Sequence, residues 1–298
     1  MPHIPVLLHE AIEALAPQPG ETFLDGTFGG GGHSKEILRR IAPKGTLFCM
    51  DRDASLLEEG IPPLRALAEE CGVALRPLSG NFADARALLA AEGVEKVDGI
   101  LLDLGFSSFH VDTPGRGFSF QEEGPLDMRY DRRAGTSAEE IVNSFAAPAL
   151  TEIFKTYGEE SWARQIAEGI VGERRKNRIM TTSALASIVS SVKGKRKEKG
   201  LHPATKVFQA LRIYVNDELG SLDRFLSDFP NFTAPGGRIA VISFHGLEDG
   251  RVKRRFKELA SESKATLVTK KPIVPTRGET GANPRARSAK LRAITIKT

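Results

Sequence analysis

Apolar positions in the first hundred residues follow two alternating rhythms. Short runs at 22–25, 46–50, 73–78 and 97–102 have the length and composition of buried strands. Between them, stretches at 10–15, 34–41, 54–68 and 83–91 carry apolar residues at helical spacing, with Leu56, Leu57, Leu64 and Leu67 on the third. Pro17 to Gly20 and Pro43-Lys44-Gly45 supply turns, and Pro62-Pro63 is expected to break the third helix in its middle. Strands alternating with helices predict an α/β fold on a parallel sheet.

Both rhythms stop at Phe106. Residues 106–131 are rich in Gly, Ser, Pro and Asp and have no clean period. A capping box, Ser137-Ala-Glu-Glu140, then opens a series of helices. Leu150, Ile153, Phe154 and Tyr157 keep one face, Trp162, Ile166 and Ile170 another, and Thr181-Thr182-Ser183 caps a fourth helix over 184–192. No strand pattern separates them, so residues 108–205 are expected to be a helical insertion within a sheet domain made of 1–107 and 206–298. Val207, Phe208, Leu211, Val215, Leu219 and Leu222 predict one long helix, slowed by Gly220. A strand over 238–244, a basic helix over 250–259 and two edge strands, 265–268 and 290–296, complete the reading.

The first strand ends in Asp25, and Gly29 to Gly32 follow before the helix at Ser34. Glycine lets a backbone approach a ligand closely, and a helix start offers N–H groups and a positive dipole end. Asp51 closes the second strand about 20 residues on, where an acid takes ribose hydroxyls. The order predicts a nucleoside cofactor. Strict G-x-G-x-x-G spacing is absent and no P-loop lysine follows, which favours S-adenosylmethionine over NAD or ATP.

Composition narrows the rest. With 298 residues, 40% apolar and 27% charged, the chain can bury a core in one large domain or two. Cys49 and Cys71 form no CxxC pair, so neither a zinc site nor a disulfide framework is expected, and Cys49 reads as core. No apolar run reaches membrane-spanning length, and His9, Glu10 and Glu13 interrupt any leader pattern, so the expected location is cytoplasmic. The net charge of +4 is unevenly spread. Residues 173–199 hold nine Lys/Arg against two Glu, and 283–298 hold five against none, which suggests phosphates as partners.

Four polar strand ends could line a cleft: Asp25 to His33, Asp51, Asp103 and Ser243-Phe244-His245. Phe82 reads either as core or as an apolar wall against adenine. His33 is either structural or placed where the cofactor's charged tail passes. Asp127 and Arg129 are either a functional pair in an irregular loop or a structural ion pair.

Several stretches together resemble a known family: Pro5-Val-Leu-Leu-His-Glu10, Asp25-Gly-Thr-Phe-Gly-Gly-Gly-Gly-His-Ser34, Arg116-Gly-Phe-Ser-Phe120, Gly124-Pro-Leu-Asp-Met-Arg129, Tyr157-Gly-Glu-Glu160, His202-Pro-Ala-Thr205 with Phe208-Gln-Ala-Leu-Arg212, Val241-Ile-Ser-Phe-His245 and Arg287-Ser-Ala-Lys-Leu-Arg292. Running nearly end to end, they resemble the bacterial 16S rRNA (cytosine-N4)-methyltransferase family (RsmH, formerly MraW). The resemblance implies a class I S-adenosylmethionine-dependent, Rossmann-like fold with an inserted helical domain. It also implies N4-methylation of a cytidine in the decoding region of 16S rRNA, with the rRNA or the small ribosomal subunit as partner. Carried over by motif, the cofactor contacts are Gly31, Gly32, His33, Asp51, Phe82, Asp103 and His110. His110 stands where the family has Gln, and Gly246-Leu-Glu-Asp-Gly250 replaces the family's Ser-Leu-Glu-Asp-Arg.

Cytosine's exocyclic amine is a poor nucleophile, so such an enzyme must align it with the methyl group and offer an acceptor for its proton. Asp103 and His245 are the catalytic candidates. Phe106 and Phe109 either stack on an unstacked base or pack in the core. The basic insertion would grip the RNA backbone. Rival readings are a methyltransferase acting on another substrate and an RNA-binding ribosome-assembly factor with a residual cofactor site. Monomer and homodimer both stay open.

Overall fold

The structure is a computed structural model describing residues 5–105, 109, 113–194 and 202–297. Phe106 and His110, together with Lys195, Arg196, Lys197 and Lys199 of the basic 173–199 stretch, whose lysines and arginines are the expected phosphate contacts, lie outside the described residues. In chain order the elements are α1 (Leu8–Leu15), β1 (Thr22–Asp25), α2 (Gly32–Ile41), β2 (Thr46–Asp51), α3 (Ala54–Cys71), β3 (Ala74–Ser79), α4 (Ala85–Ala91) and β4 (Val97–Asp103). There follow α5 (Ala138–Ser144), α6 (Ala147–Gly158), α7 (Ala163–Arg174), α8 (Thr182–Lys193), α9 (Thr205–Val215) and α10 (Glu218–Phe232). Last come β5 (Thr233–Ser243), α11 (Gly246–Ser261), β6 (Ala265–Leu267), α12 (Arg277–Ala282) and β7 (Lys290–Ile296). Two compact units result: Met1–Ser107 with Leu219–Thr298, and Ser108–Glu218.

The first unit is a seven-stranded sheet in the order β3-β2-β1-β4-β5-β7-β6. Strands β1 to β5 are parallel, and β7 is antiparallel to both neighbours. Strand period fixes its two faces. Phe23, Leu47, Cys49, Leu101, Ala240, Ile242 and Leu291 pack under α1, α2 and α3, while Leu24, Phe48, Ile100, Leu102, Ile239, Val241 and Ile294 pack under α4, α10 and α11. Strand order reverses between β1 and β4, and such a switch point opens a crevice beyond the strands' carboxyl ends.

Four details differ from the sequence reading. Helix α3 runs unbroken through Pro62 and Pro63, because both prolines lie on its exposed side while Leu56, Leu57, Ile61, Leu64 and Ala68 hold the buried face. β7 is interior rather than an edge strand, so the basic stretch 290–296 alternates buried and half-exposed residues. Helix α11 starts at Gly246, not 250, because His245 serves as its N-cap. Finally, the helix expected over 207–222 is two helices, α9 and α10. Asn216 ends α9: its Nδ2 donates to the Arg212 and Met128 carbonyls, its Oδ1 accepts from Tyr130 N, and Asp217 turns left-handed at φ 46°. The unit boundary accordingly falls at Glu218 rather than at 205, and α9 belongs with the helical unit.

The helical unit has its own core, built from Leu150, Phe154, Ile166, Ile170, Leu185, Val189, Phe208 and Leu211 among others. Among its described residues it adds no strand to the sheet; one isolated bridge joins Pro125 and Thr181. Its irregular segment is tied down by polar bonds. Arg116 donates to the carbonyls of Arg129 and Tyr130, and Asp127 accepts two bonds from Arg129 at 2.8 and 3.0 Å. Burial raises the Asp127 pKa, but the Arg129 hydrogen bonds and charge outweigh it and hold the carboxyl below its usual range. Asp127 and Arg129 thus form the ion pair that one of the two sequence readings expects. Lys193, expected as a phosphate contact, is instead buried, its Nζ 2.8 Å from Glu160 Oε2. Among the described residues, no helix is long and apolar enough to cross a membrane.

Lys193→Ala leaves the Glu160 carboxylate buried and unpaired, which is expected to destabilise the protein by about 3–5 kcal/mol in denaturant unfolding. A loss below about 1 kcal/mol would mean that water reaches Glu160 and the pair is not a structural element.

Candidate active site

The chain leaving β1 is bonded to both neighbouring strands: Gly26 N donates to Leu101 O at 2.9 Å and Phe28 N to Met50 O at 2.8 Å. Gly31 then caps α2 at φ +71°, and a Cβ there would lie 2.9 Å from the Phe28 ring. Its lack of a side chain thus serves backbone conformation and the packing of Phe28. Asp51 closes the loop from β2. Its Oδ2 accepts from Gly29 N and its Oδ1 from Asp53 N, both at 2.9 Å. These bonds hold the half-buried carboxylate in one orientation, and a carboxylate oxygen accepts more than one bond, so either can also take a ligand hydroxyl.

A second cluster lies deeper. Asp25 is buried; its Oδ2 accepts from Ser34 Oγ at 2.7 Å and its Oδ1 from Thr27 N at 3.2 Å. Burial pushes its pKa up to about 6 against those two bonds. Ser34 Oγ also lies 3.3 Å from Cys49 Sγ, a buried thiol whose pKa burial raises. Asp103, at the end of β4, donates its backbone N–H to Thr27 Oγ1 at 2.6 Å. Burial, then the charges of Asp25 and Glu248, raise its carboxyl well above the usual range. Asp103 Oδ1 is enclosed and has no hydrogen-bond partner among the described residues. His33 stands beside it, Nδ1 at 3.9 Å from Asp103 Oδ2 and Nε2 at 3.0 Å from Val6 O. A carbonyl only accepts, so Nε2 carries the ring proton in that bond.

The structure thus places Gly31, Gly32, His33, Asp51 and Asp103 at adjacent carboxyl ends of β1, β2 and β4. Phe82 follows β3 in a half-buried turn and meets Phe225 edge-on at 5.8 Å, so it combines core packing with a partly open ring. His245 is the N-cap of α11: its Nδ1 accepts from Glu248 N at 3.3 Å, while Glu248 Oε2 accepts from Phe244 N and His245 N. That capping box engages Nδ1, while the enclosed Nε2 stands 3.1 Å from Glu248 Oε1. Residue typing alone missed Thr27, Ser34 and Glu248. The first two sit inside the glycine motif, flanking the glycines at a spacing that returns them to Asp25 and Asp103.

A sheet switching direction at β1/β4, a glycine turn after β1, a fixed acid after β2 and a final antiparallel strand define a class I S-adenosylmethionine-dependent methyltransferase. The chain belongs to the MraW methylase family, whose model matches residues 1–297. It is 46% identical to the ribosomal RNA small subunit methyltransferase H of Trichlorobacter lovleyi, over 98% of this chain and 97% of that one. The protein of the same name from Syntrophotalea carbinolica is 48% identical, again over 98% and 97%. That of Deinococcus radiodurans is 48% identical over 97% and 88%. The residues present fit the cofactor: Asp51 suits a diol, and the enclosed acids, with the orphaned Asp103 oxygen, suit a cationic group bearing donors.

Two outcomes follow. In the folded state Asp25 keeps its proton to about pH 6, whereas unfolded it titrates near 3.8, so its contribution to stability is lost as pH rises between these values. Relative to Asp25→Asn, the wild type should lose up to about 3 kcal/mol of stability on going from about pH 4 to about pH 7; a pH-independent difference in denaturant unfolding refutes the assignment. Asp51→Ala should weaken S-adenosylmethionine binding by about 1–3 kcal/mol, measured by calorimetry. Unchanged affinity in a folded variant rules Asp51 out as the diol ligand.

Proposed function

We propose that the protein methylates N4 of a cytidine in the decoding region of 16S rRNA, with S-adenosylmethionine as methyl donor. The observation that carries this reading is full-length identity of 46–48% to proteins named ribosomal RNA small subunit methyltransferase H. The chemistry of the cluster supports it. Of the two catalytic candidates, Asp103 is the better acceptor for the amine proton, since its half-buried carboxyl ends β4 with a pKa raised well above the usual range. His245 caps α11 through Nδ1, and its enclosed Nε2 keeps it the second candidate. Gly31, Gly32, His33, Asp51 and Phe82 hold the cofactor, and His110, outside the described residues, remains part of the proposal by motif. Residues 108–218 serve as the RNA-recognition unit, and the protein works in the cytosol, where small subunits are assembled.

The deciding experiment is mass spectrometry of 16S rRNA nucleosides from a deletion strain. The reading expects N4-methylated cytidine to vanish with the gene and return with it; an unchanged modification, or loss of a different one, overturns it.

Phosphate contacts are better sought on α11 than at Lys193. Lys253, Arg254 and Lys257 are exposed on one face of that helix, along a groove of about 470 Å³. Arg251 and Arg255 differ: they bond to Asp223 Oδ2 and Leu226 O. Replacing Lys253, Arg254 and Lys257 by alanine should raise the KM for RNA more than it lowers kcat and leave S-adenosylmethionine affinity unchanged. It should also flatten the salt dependence by nearly one log–log unit for each phosphate no longer held. Wild-type KM at every salt concentration would show a merely solvated face.

A further inference from the structure

The Pro5-Val-Leu-Leu motif has no role in the chemistry so far, yet it lies against the glycine loop. A Cβ on Gly32 would sit 2.2 Å from Pro5 Cγ, so the proline ring occupies the space a side chain there would need. Val6 O accepts from His33 Nε2 at 3.0 Å. On the opposite edge of the same peptide group, Leu7 N donates to Glu279 Oε1 at 2.7 Å, across 272 positions of sequence. Leu7 itself is buried at φ 52°, a left-handed conformation that a leucine keeps only when its surroundings hold it.

Glu279 is well placed to do the holding. It lies in the first turn of α12, where Thr276 Oγ1 accepts from its backbone N–H at 3.1 Å. The segment around it is anchored to the sheet domain by the Ile273–Leu291 bridge on one side and by buried Ala286 and Ala289 on the other. A peptide group is planar and polarisable. A carboxylate bonded to its N–H draws electron density toward the carbonyl oxygen, which becomes a stronger acceptor. Here that oxygen belongs to Val6, and its donor is the His33 ring.

We propose that Glu279 is a positioning residue: through the Val6–Leu7 peptide it fixes the His33 ring in the Nε2–H form, with Nδ1 turned toward Asp103. The proposal rests on the cofactor site described above. It assigns the amino-terminal motif a purpose that neither burial nor the glycine loop explains alone. Pro5, Val6 and Leu7 form the joint through which the carboxy-terminal segment orients a cofactor-site histidine.

The test uses the full chain with ¹⁵N-labelled histidine, read first without cofactor. In the wild type the His33 Nε2 resonance should be that of a protonated nitrogen and Nδ1 that of an unprotonated one. Glu279→Ala should mix the two tautomers and weaken S-adenosylmethionine binding roughly three- to tenfold, the worth of one net hydrogen bond. Glu279→Gln keeps an acceptor for Leu7 N and should retain the wild-type ring form. If the alanine variant fails to fold, Glu279→Met, similar in length and without an acceptor, repeats the measurement. Wild-type ring resonances in the alanine or methionine variant overturn the proposal, whatever the affinity does. Because the ring is read without cofactor, failure of the cofactor reading would appear separately, as absent binding in the wild type.

Discussion

Three carboxyl groups share the carboxyl ends of neighbouring strands, and the withdrawal of Asp103 from water beside the other two is the constraint on which the site depends. Asp25 ends β1, Asp103 ends β4, and Glu248 enters from the first turn of α11, just past β5. Burial raises the pKa of Asp25 and of Asp103, and at Asp103 the charges of Asp25 and Glu248 add to it. Neighbouring amides and one hydroxyl relieve two of the three. Asp25 accepts from Ser34 and Thr27, and Glu248 from the Phe244 and His245 amides. Asp103 is left with an enclosed oxygen that no described residue satisfies and with a pKa raised by burial and then by both neighbours. A site of this kind favours a cationic ligand that brings hydrogen-bond donors.

The rest of the sheet domain explains how that arrangement is held. The switch between β1 and β4 brings Asp25 and Asp103 onto adjacent strands, with Leu24 opposite Ile100 and Asp25 opposite Leu101. The loop after β1 is stitched to β2 and β4 by backbone bonds, so Thr27 and Asp51 are fixed relative to each other. On the far side, Asp249 is clasped by Arg292 at 2.6 Å and 3.2 Å, which ties the start of α11 to β7. Burial raises the Asp249 pKa, but the Arg292 bonds and charge prevail and hold it below the usual range. Arg292, near the carboxyl terminus, is thereby engaged inside the fold, while the more exposed Lys290 reaches the same carboxylate at 3.5 Å.

Much of this was legible from residue order because local signals and tertiary demands agree there. The apolar run 22–25 became β1 at the same bounds, and the acid about 20 residues past the glycines stands beside the glycine loop, bonded to Gly29. Where they disagree, the sequence misleads. Pro62 and Pro63 signal a break, but a five-residue buried face keeps α3 continuous. Leu219 and Leu222 continue the α9 period, but Asn216 has a better use for its amide in bonding Met128 and Tyr130 from a segment 86–88 positions away. Lys193 opens a basic run, yet its partner Glu160 lies 33 residues upstream in a motif with no obvious charge requirement. The link from Glu279 to Leu7 is of the same type: nothing local announces a bond spanning almost the whole chain.

The most direct test of the carboxyl cluster is calorimetry of S-adenosylmethionine binding at neutral pH in buffers of different ionisation enthalpy. If Asp103 holds a proton until a cation arrives, binding releases it, and the observed heat varies linearly with the buffer's ionisation enthalpy. Asp103→Asn should remove most of that dependence. Identical heats in every buffer, at full binding, would mean that the cofactor displaces no proton from Asp103, and the account of the site as an acid that gives way to a cation would be wrong.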